Sequence, residues 1–274
     1  MALNYYKNEL KENAQLLASK GKGILAVDES TKTVGKRLAG IGVENTEDNR
    51  KAYRGMLFTT EGLGKYISGA ILFEETLYQN HQDGESMVKK LNDLGIIPGI
   101  KVDKGLNPLP GGGDVETFCS GLDGLVERAA KYYEQGARFA KWRAVLQITN
   151  DGCPSKLSIQ ENAWGLARYA RSVQESGLVP IIEPEILMDG DHTIEKTAEV
   201  QEEVIKQVYI ACQANGVFLE GTLLKPSMTV NGADCPTKAD PMKVAEMTIR
   251  TMERCVPASV PGIVFLSGGL SEEA

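Results

Sequence analysis

The pattern of apolar and polar positions divides the chain into strands and helices that follow one another. Short apolar runs rich in β-branched residues predict strands near Ile24, Ile67, Ile97, Arg138, Val179, Val217 and Gly262. Apolar residues at helical spacing predict helices over Asn4–Ser19, Asn45–Phe58, Leu122–Gln135, Ile159–Ser176, Thr193–Asn215 and Pro241–Cys255. This alternation predicts an α/β fold in which helices cover a parallel sheet.

Five of the predicted strands end on charged side chains. The ends carry Asp28, the run Lys101–Lys104, the pair Lys141 and Arg143, the pair Glu183 and Glu185, and Lys225. Strand side chains alternate between two faces, so the members of each pair point the same way. In a (β/α)8 TIM barrel the catalytic groups lie at the carboxyl ends of the strands. The pattern therefore indicates one shared polar site in such a barrel.

Lys225 is the most informative of these residues. It ends the apolar run that begins at Val217, and a lysine is almost never fully buried without a partner. At the rim of a core, desolvation and neighbouring cations favour the neutral and nucleophilic amine. Such an amine suits Schiff-base chemistry on a carbonyl substrate. The plainer interpretation is a solvated lysine just past a strand end.

Composition narrows the classes of function. The chain of 274 residues is 42% hydrophobic and 24% charged, with a net charge of −7. That charge argues against non-specific nucleic-acid binding, although a local cationic pocket for an anionic substrate remains compatible with it. We expect no membrane association either, because apolar stretches of membrane-spanning length and the apolar core of a signal peptide are absent from the sequence.

Histidines and cysteines bear on metal sites and on redox chemistry. The two histidines, His81 and His192, do not have a metal-binding spacing, so we predict that no zinc site rich in histidine is present. Schiff-base chemistry on Lys225 would need no metal and no cofactor. The five cysteines are widely spaced and odd in number, which favours free thiols in a reducing compartment.

Two further motifs each allow two interpretations. Ser267-Gly268-Gly269 follows a strand and suits a phosphate through its backbone N–H groups, or it is simply a tight turn. The segment that begins at Asp28 and includes Ser30 could equally be a helix N-cap.

Length leads to an expectation about the barrel. Seven predicted strands at about 40 residues per unit leave no room for an eighth, because eight units would need roughly 320 residues. We expect strand 8 to be absent from this chain.

Six segments, taken together and in order, resemble the class I fructose-1,6-bisphosphate aldolases. They are the segments 21–30, 99–105, 139–143, 183–187, 220–226 and 265–269. Two more segments, 67–76 and 163–169, are most similar to the plant and algal plastid branch. The resemblance covers the whole chain, so residues 1–274 are expected to form a single, partial class I aldolase barrel domain. The resemblance also implies that the family's C-terminal tail is absent from this chain.

The resemblance implies roles for individual residues. Lys225 forms the Schiff base, Glu183 transfers protons as the carbinolamine forms and breaks down, Asp28 takes the proton of the C4 hydroxyl, and Lys141 assists Lys225. The implied substrate-binding residues are Lys101, Ser30, Thr33, Arg37, Arg143, Glu185, Ser267, Gly268 and Gly269.

The resemblance also implies a biological setting. The reaction is the reversible cleavage of fructose 1,6-bisphosphate to dihydroxyacetone phosphate and glyceraldehyde 3-phosphate, in glycolysis and gluconeogenesis or in the Calvin cycle. The partners would be sugar phosphates and three further copies in a homotetramer. The compartment would be the cytoplasm or, as the alternative, the plastid stroma.

Three other interpretations stay open at this point. They are a transaldolase-like lysine-dependent lyase, a metal-dependent aldolase, and a non-catalytic aldolase-like interaction protein or inactive fragment.

Overall fold

A parallel sheet of six strands forms the centre of the computed structural model, which describes residues 2–271. The strands in chain order are β1 (Gly23–Val27), β2 (Ile67–Leu72), β3 (Ile97–Lys101), β4 (Leu106–Pro108), β5 (Thr117–Cys119), β6 (Phe139–Leu146), β7 (Val179–Ile186) and β8 (Leu223–Leu224). The sheet has the order β1-β2-β3-β6-β7-β8, and each neighbouring pair is parallel. Strands β4 and β5 form a separate antiparallel pair.

Helices occupy the connections between these strands. They are α1 (Ala2–Leu17), α2 (Thr31–Ala39), α3 (Glu47–Phe58), α4 (Glu74–Tyr78), α5 (Met87–Asp93), α6 (Leu125–Glu134), α7 (Lys156–Gln174), α8 (Ile194–Ala214) and α9 (Pro241–Cys255). The six predicted helices are confirmed as α1, α3, α6, α7, α8 and α9, whereas α2, α4 and α5 were not predicted. Among residues 2–271, no helix is both long and apolar enough to cross a bilayer.

The alternation of side chains along β6 separates two packed layers. Ala140 and Trp142 face the main core under the helices, where Trp142 stacks on Tyr169 of α7 with ring centroids 5.4 Å apart. Phe139 belongs instead to the smaller core inside the sheet, and Lys141 shares its face because strand positions repeat with period 2. The inner face of β6 thus changes from apolar to charged toward its carboxyl end.

Helix α1 closes the amino end of the sheet. Its buried residues Leu10 and Leu17 pack in the same cluster as Phe139 and Val179, the first residues of β6 and β7. The opposite end of the strands is thereby left for polar groups.

The sheet is curved like part of a barrel. Strands β1 and β6 are separated by β2 and β3, so a flat sheet would hold them about 14 Å apart at the usual strand spacing. The carboxylate of Asp28, just after β1, nevertheless lies 2.8 Å from the ammonium of Lys141 on β6. Curvature therefore brings the inward-facing side chains of distant strands together.

The last two predicted strands are shorter than expected. Leu219–Gly221 is a 3-10 turn, which leaves β8 with two residues. A β-carbon added at Gly221 would lie 2.9 Å from Cβ of Leu10, so the close approach of α1 shapes this segment. The predicted strand near Gly262 is reduced to two isolated bridges, Ile263 to Leu224 and Leu266 to Ser227.

The expectation that the eighth strand is absent is not confirmed. Eight strands lie within residues 2–271, two of them in the antiparallel pair outside the parallel sheet. The sequence pattern missed this pair because strands of three residues are too short for a period-2 signal.

The contact between β3 and β6 leads to a prediction about stability. Gly99 pairs with Phe139, and a β-carbon added at Gly99 would lie 2.2–2.4 Å from three atoms of the Phe139 ring. We expect Gly99→Ala to lower the free energy of unfolding by about 1–3 kcal/mol, the usual cost of overpacking, as measured by urea denaturation. Gly23→Ala is the control, because a β-carbon there meets nothing within 4 Å. Equal stability of the two variants would contradict this account.

Candidate active site

Four charged side chains meet at the carboxyl ends of the strands. The ammonium of Lys225 donates a hydrogen bond of 2.8 Å to Oε1 of Glu183, and Oε2 of Glu183 lies 3.4 Å from Nζ of Lys141. Lys141 also contacts Asp28 at 2.8 Å. The result is a chain of alternating charge in which each lysine contacts a carboxylate.

Strand register places these groups. Arg143 of β6 pairs with Glu183 of β7, so Lys141 lies two residues earlier on the same inward face. The amide of Lys225 donates to the carbonyl of Ile182 at 2.7 Å, which continues the pairing of β8 with β7 by one residue. Lys225 is therefore held directly beside Glu183.

Burial distinguishes an inner pair from an outer pair. The side chains of Glu183 and Lys141 are 3% and 5% exposed, whereas those of Asp28 and Lys225 are 13% and 14% exposed. A small molecule that enters from solvent can therefore reach Lys225 and Asp28 more readily than the groups behind them.

The buried charges shift one another's pKa values. Burial alone would raise the pKa of Asp28, but Lys141 and Lys225 outweigh burial and hold that pKa below its ordinary value of 3.8. Burial alone would lower the pKa of Lys141, but attraction to Asp28 and Glu183 raises it above its ordinary value. Asp28 is thus an anion and Lys141 a cation at neutral pH, so Asp28 can accept a proton.

Two ion pairs flank this cluster. Lys101, at the end of β3, donates to both the carbonyl and the carboxylate of Asp103, at 2.7 and 2.6 Å. Arg143 pairs with Glu185 through its Nε. The prediction that two charged residues share one face of each strand is confirmed for Lys141 and Arg143 on β6 and for Glu183 and Glu185 on β7.

The residues predicted around one phosphate lie on three elements. Ser30 and Thr33 are at the start of α2 and Arg37 is in its last turn, whereas Lys101 ends β3 and Arg143 is on β6. Ser30 is the N-cap of α2, and its hydroxyl accepts a hydrogen bond from the amide of Thr33. The helix N-cap interpretation of this segment is confirmed. Arg37, 60% exposed, pairs with the carboxylate of Glu29. A helix N-terminus favours an anion, so Ser30 and Thr33 remain suited to a phosphate.

The glycine-rich turn follows close to Lys225 in space. Leu266, just before the turn, donates its amide to the carbonyl of Pro226, the residue after Lys225. Gly268 and Gly269 have φ values of +61° and +97°, which residues with a β-carbon rarely adopt. The amide of Leu270 bonds back to the carbonyl of Ser267, which closes a tight turn.

Two charged residues near the site were given no role from the sequence: Asp103, which was noted only within the charged run Lys101–Lys104, and Arg54. Asp103 is buried and lies two positions beyond Lys101, so the period-2 pattern could have placed it on the same face. Arg54 is fully buried and shares one face of α3 with Phe58, four residues later. An arginine on the apolar face of a helix was the available signal.

The described residues offer no evident metal centre. Among residues 2–271, no group of three or more His, Cys, Asp or Glu side chains is arranged to hold a metal ion. His81 contacts Asp83, and His192 is buried with a pKa lowered by burial.

The electrostatics of Asp28 lead to a prediction. In Lys141→Met we expect the pKa of Asp28 to rise, because burial then opposes ionisation with less compensation from cations. Titration of the Asp28 carboxylate carbon by NMR measures this midpoint. Lys101→Met is the control and should leave the midpoint unchanged, since Lys101 bonds to Asp103 instead. An unchanged midpoint in Lys141→Met would show that Lys141 does not set the charge of Asp28.

Comparison with known proteins agrees with this geometry. Residues 9–274 match the profile of the family described as "Fructose-bisphosphate aldolase class-I". The chain is 58% identical over 267 residues to "Fructose-bisphosphate aldolase 3, chloroplastic" of Arabidopsis thaliana, covering 97% of this chain and 68% of that protein. It is 59% identical over 266 residues to "Fructose-bisphosphate aldolase 1" of Toxoplasma gondii, covering 97% of this chain and 73% of that one.

A solved structure is similar over almost the whole chain. It is the fructose-bisphosphate aldolase of Plasmodium falciparum in complex with TRAP and a small-molecule inhibitor. The TM-score is 0.96 at 55% identity, and the match covers 98% of this chain and 78% of that chain. The fold, a (β/α)8-type barrel of which six parallel strands are seen here, and the sequence thus agree on one conclusion. This chain belongs to the class I fructose-bisphosphate aldolases, a family of lyases.

Proposed function

We propose that this chain cleaves fructose 1,6-bisphosphate reversibly to dihydroxyacetone phosphate and glyceraldehyde 3-phosphate through an imine on Lys225. The observation that carries the proposal is the contact of the Lys225 ammonium with Glu183, beside the buried Lys141. An amine that can pass its proton to a neighbouring carboxylate becomes a nucleophile toward a ketone.

Glu183 is the proton carrier for imine formation. Its Oε1 accepts a hydrogen bond from Lys225, so it is placed to take the proton that the ammonium must lose. The free amine adds to the ketone carbon to give a carbinolamine. Glu183 then returns a proton to the leaving hydroxyl, which departs as water and leaves the protonated imine.

Asp28 is the base for cleavage of the carbon–carbon bond. Its depressed pKa keeps it ionised, and it is among the more exposed groups of the cluster. It takes the proton of the C4 hydroxyl while the bond between C3 and C4 breaks. The electron pair of that bond moves into the imine to form an enamine, and the aldehyde product leaves.

Lys141 holds the two carboxylates in place and balances their charge. It lies within 2.8 Å of Asp28 and 3.4 Å of Glu183, and its raised pKa keeps it protonated. A fixed cation beside groups whose charge changes during a reaction stabilises those changes without reorganisation of water.

The phosphate groups of the substrate are assigned to two rims of the site. Ser267, Gly268 and Gly269 would bind one phosphate through their turn. The residues assigned to the other are Lys101, Ser30, Thr33, Arg37, Arg143 and, through its ion pair with Arg143, Glu185. Two separate cationic or N–H-rich rims favour a bisphosphate over the monophosphates of a transaldolase-like lyase.

The other two alternatives have less support. Buried charges are costly to desolvate, so a non-catalytic protein would have no need of the two buried ion pairs that Lys141 forms with Asp28 and Glu183. A metal-dependent aldolase needs a cluster of metal ligands, which residues 2–271 do not assemble.

We also infer three features of organisation. The largest apolar core includes residues from Val27 to Cys255, which supports one domain over residues 1–274. Exposed Trp164 of α7 and Ile210 of α8 line one groove, which suits a contact with a second subunit. The homotetramer is inferred from the aldolase family. Chloroplastic relatives favour the plastid stroma over the cytoplasm. Sedimentation velocity measures the oligomeric state, and fluorescent tagging of the protein in cells shows its compartment.

Covalent capture tests the proposed chemistry. Borohydride added with dihydroxyacetone phosphate should reduce the imine and attach the label to Lys225, as read by peptide mapping. Lys225→Arg should lose the label, because a guanidinium stays protonated. The matched control is Lys131→Arg on the exposed face of α6, which should be labelled like the parent. A label on another lysine would refute the assignment of the nucleophile.

A further inference from the structure

Arg54 lies under the turn that carries Asp28. It belongs to α3, and its side chain is fully buried. One guanidinium nitrogen donates to the carbonyl of Glu29 at 2.7 Å, and another donates to the hydroxyl of Thr76 at 2.9 Å. The side chain therefore connects the end of β1 to the start of α4.

A buried cation at this place needs an explanation. Burial lowers the pKa of Arg54, while attraction to Glu29 and Glu75 opposes that change, and an arginine keeps its proton in either case. The nearest carboxylate oxygens are 3.6 Å away on Glu75 and 4.0 Å away on Glu29. An apolar side chain of similar volume would fill this space at a lower cost in desolvation.

The carbonyl held by Arg54 is the one next to Asp28. The strand ladder of β1 ends at Val27, which pairs with Leu72. Asp28 and Glu29 follow that last pair and precede Ser30, where α2 is capped. Arg54 thus binds the short backbone segment that connects β1 to α2. Its second hydrogen bond, to Thr76, holds the guanidinium in place beneath this segment.

We propose that Arg54 is a positioning residue that sets the place of the Asp28 carboxylate for carbon–carbon bond cleavage. This inference rests on the proposed function, in which Asp28 takes the C4 proton. It assigns Arg54 no contact with the substrate. It also separates two steps: imine formation depends on Lys225 and Glu183, whereas cleavage depends on Asp28 as well.

The two steps can be measured separately. Dihydroxyacetone phosphate has no C4 hydroxyl, so its capture by borohydride requires Lys225 and Glu183 but not the base. We expect Arg54→Met to keep the capture rate within about twofold of the parent and to lower kcat for cleavage of fructose 1,6-bisphosphate by roughly 10- to 100-fold, since small misplacements of a catalytic group have effects of this size. Arg54→Lys keeps one donor and should recover part of the loss.

A double variant distinguishes a positioning role from a general loss of stability, through the effect of Arg54→Met on kcat in the Asp28→Asn background. If Arg54 acts through Asp28, then Arg54→Met should slow Asp28→Asn by less than about twofold, because the group it positions no longer accepts a proton.

The matched control is Arg138→Met. Arg138 also donates to backbone carbonyls, those of Tyr133 and Ala137, but at the amino end of β6 away from the site. It should lower the thermal midpoint without a change in kcat. If Arg54→Met does not fold, Arg54→Lys alone provides the comparison.

Three results would overturn the inference. They are an unchanged kcat in a folded Arg54 variant, a parallel fall of capture and cleavage, and multiplicative losses in the double variant. A failure of the proposed function is distinguishable from all three, because the parent protein itself would then not be labelled on Lys225 or would not cleave fructose 1,6-bisphosphate.

Discussion

The contact of buried Lys141 with Asp28 and Glu183 is the interaction on which the rest of the site depends. The ammonium joins β6 to the end of β1 across the interior of the curved sheet and to β7 beside it. Removing one partner of a buried ion pair leaves an uncompensated charge, which is strongly destabilising. The same contact ties the geometry of the sheet to the protonation of the groups that we assign to catalysis.

The charged residues around Lys141 balance one another as well. Four carboxylates and four cations face one another at the strand ends, namely Asp28, Asp103, Glu183 and Glu185 with Lys101, Lys141, Arg143 and Lys225. The formal charges cancel, so the cluster can be buried without a large net charge. In the proposed function, a substrate with two phosphates would bind through rearranged ion pairs and through backbone N–H groups at the rims. Lys101 and Arg143 already have carboxylate partners, which holds their long side chains in place before substrate binds.

Much of this arrangement follows from the sequence, because it rests on local periodicity. The period-2 pattern correctly put Lys141 with Arg143 and Glu183 with Glu185, and five of the predicted strands have their expected positions. Resemblance to the aldolases supplied the roles of the individual residues, which spacing alone could not.

The sequence pattern failed where distant parts of the chain decide the structure. The run from Val217 begins as a 3-10 turn because Gly221 packs against Leu10, more than two hundred residues earlier. The apolar face of α3 could have marked Arg54, but not its partners, because Glu29 and Thr76 lie more than twenty residues away in the sequence.

The central claim is that Asp28 and Lys141 act as one unit, and a double-mutant cycle on kcat for fructose 1,6-bisphosphate cleavage tests it most directly. Once one member of a tightly coupled pair has been replaced, replacing the second member lowers kcat little further. The losses of free energy from the two single variants are therefore far from additive. We expect the double variant Asp28→Asn with Lys141→Met to be within about threefold of the slower single variant. Losses that multiply would contradict the account, because each residue would then contribute independently of the ion pair that joins them.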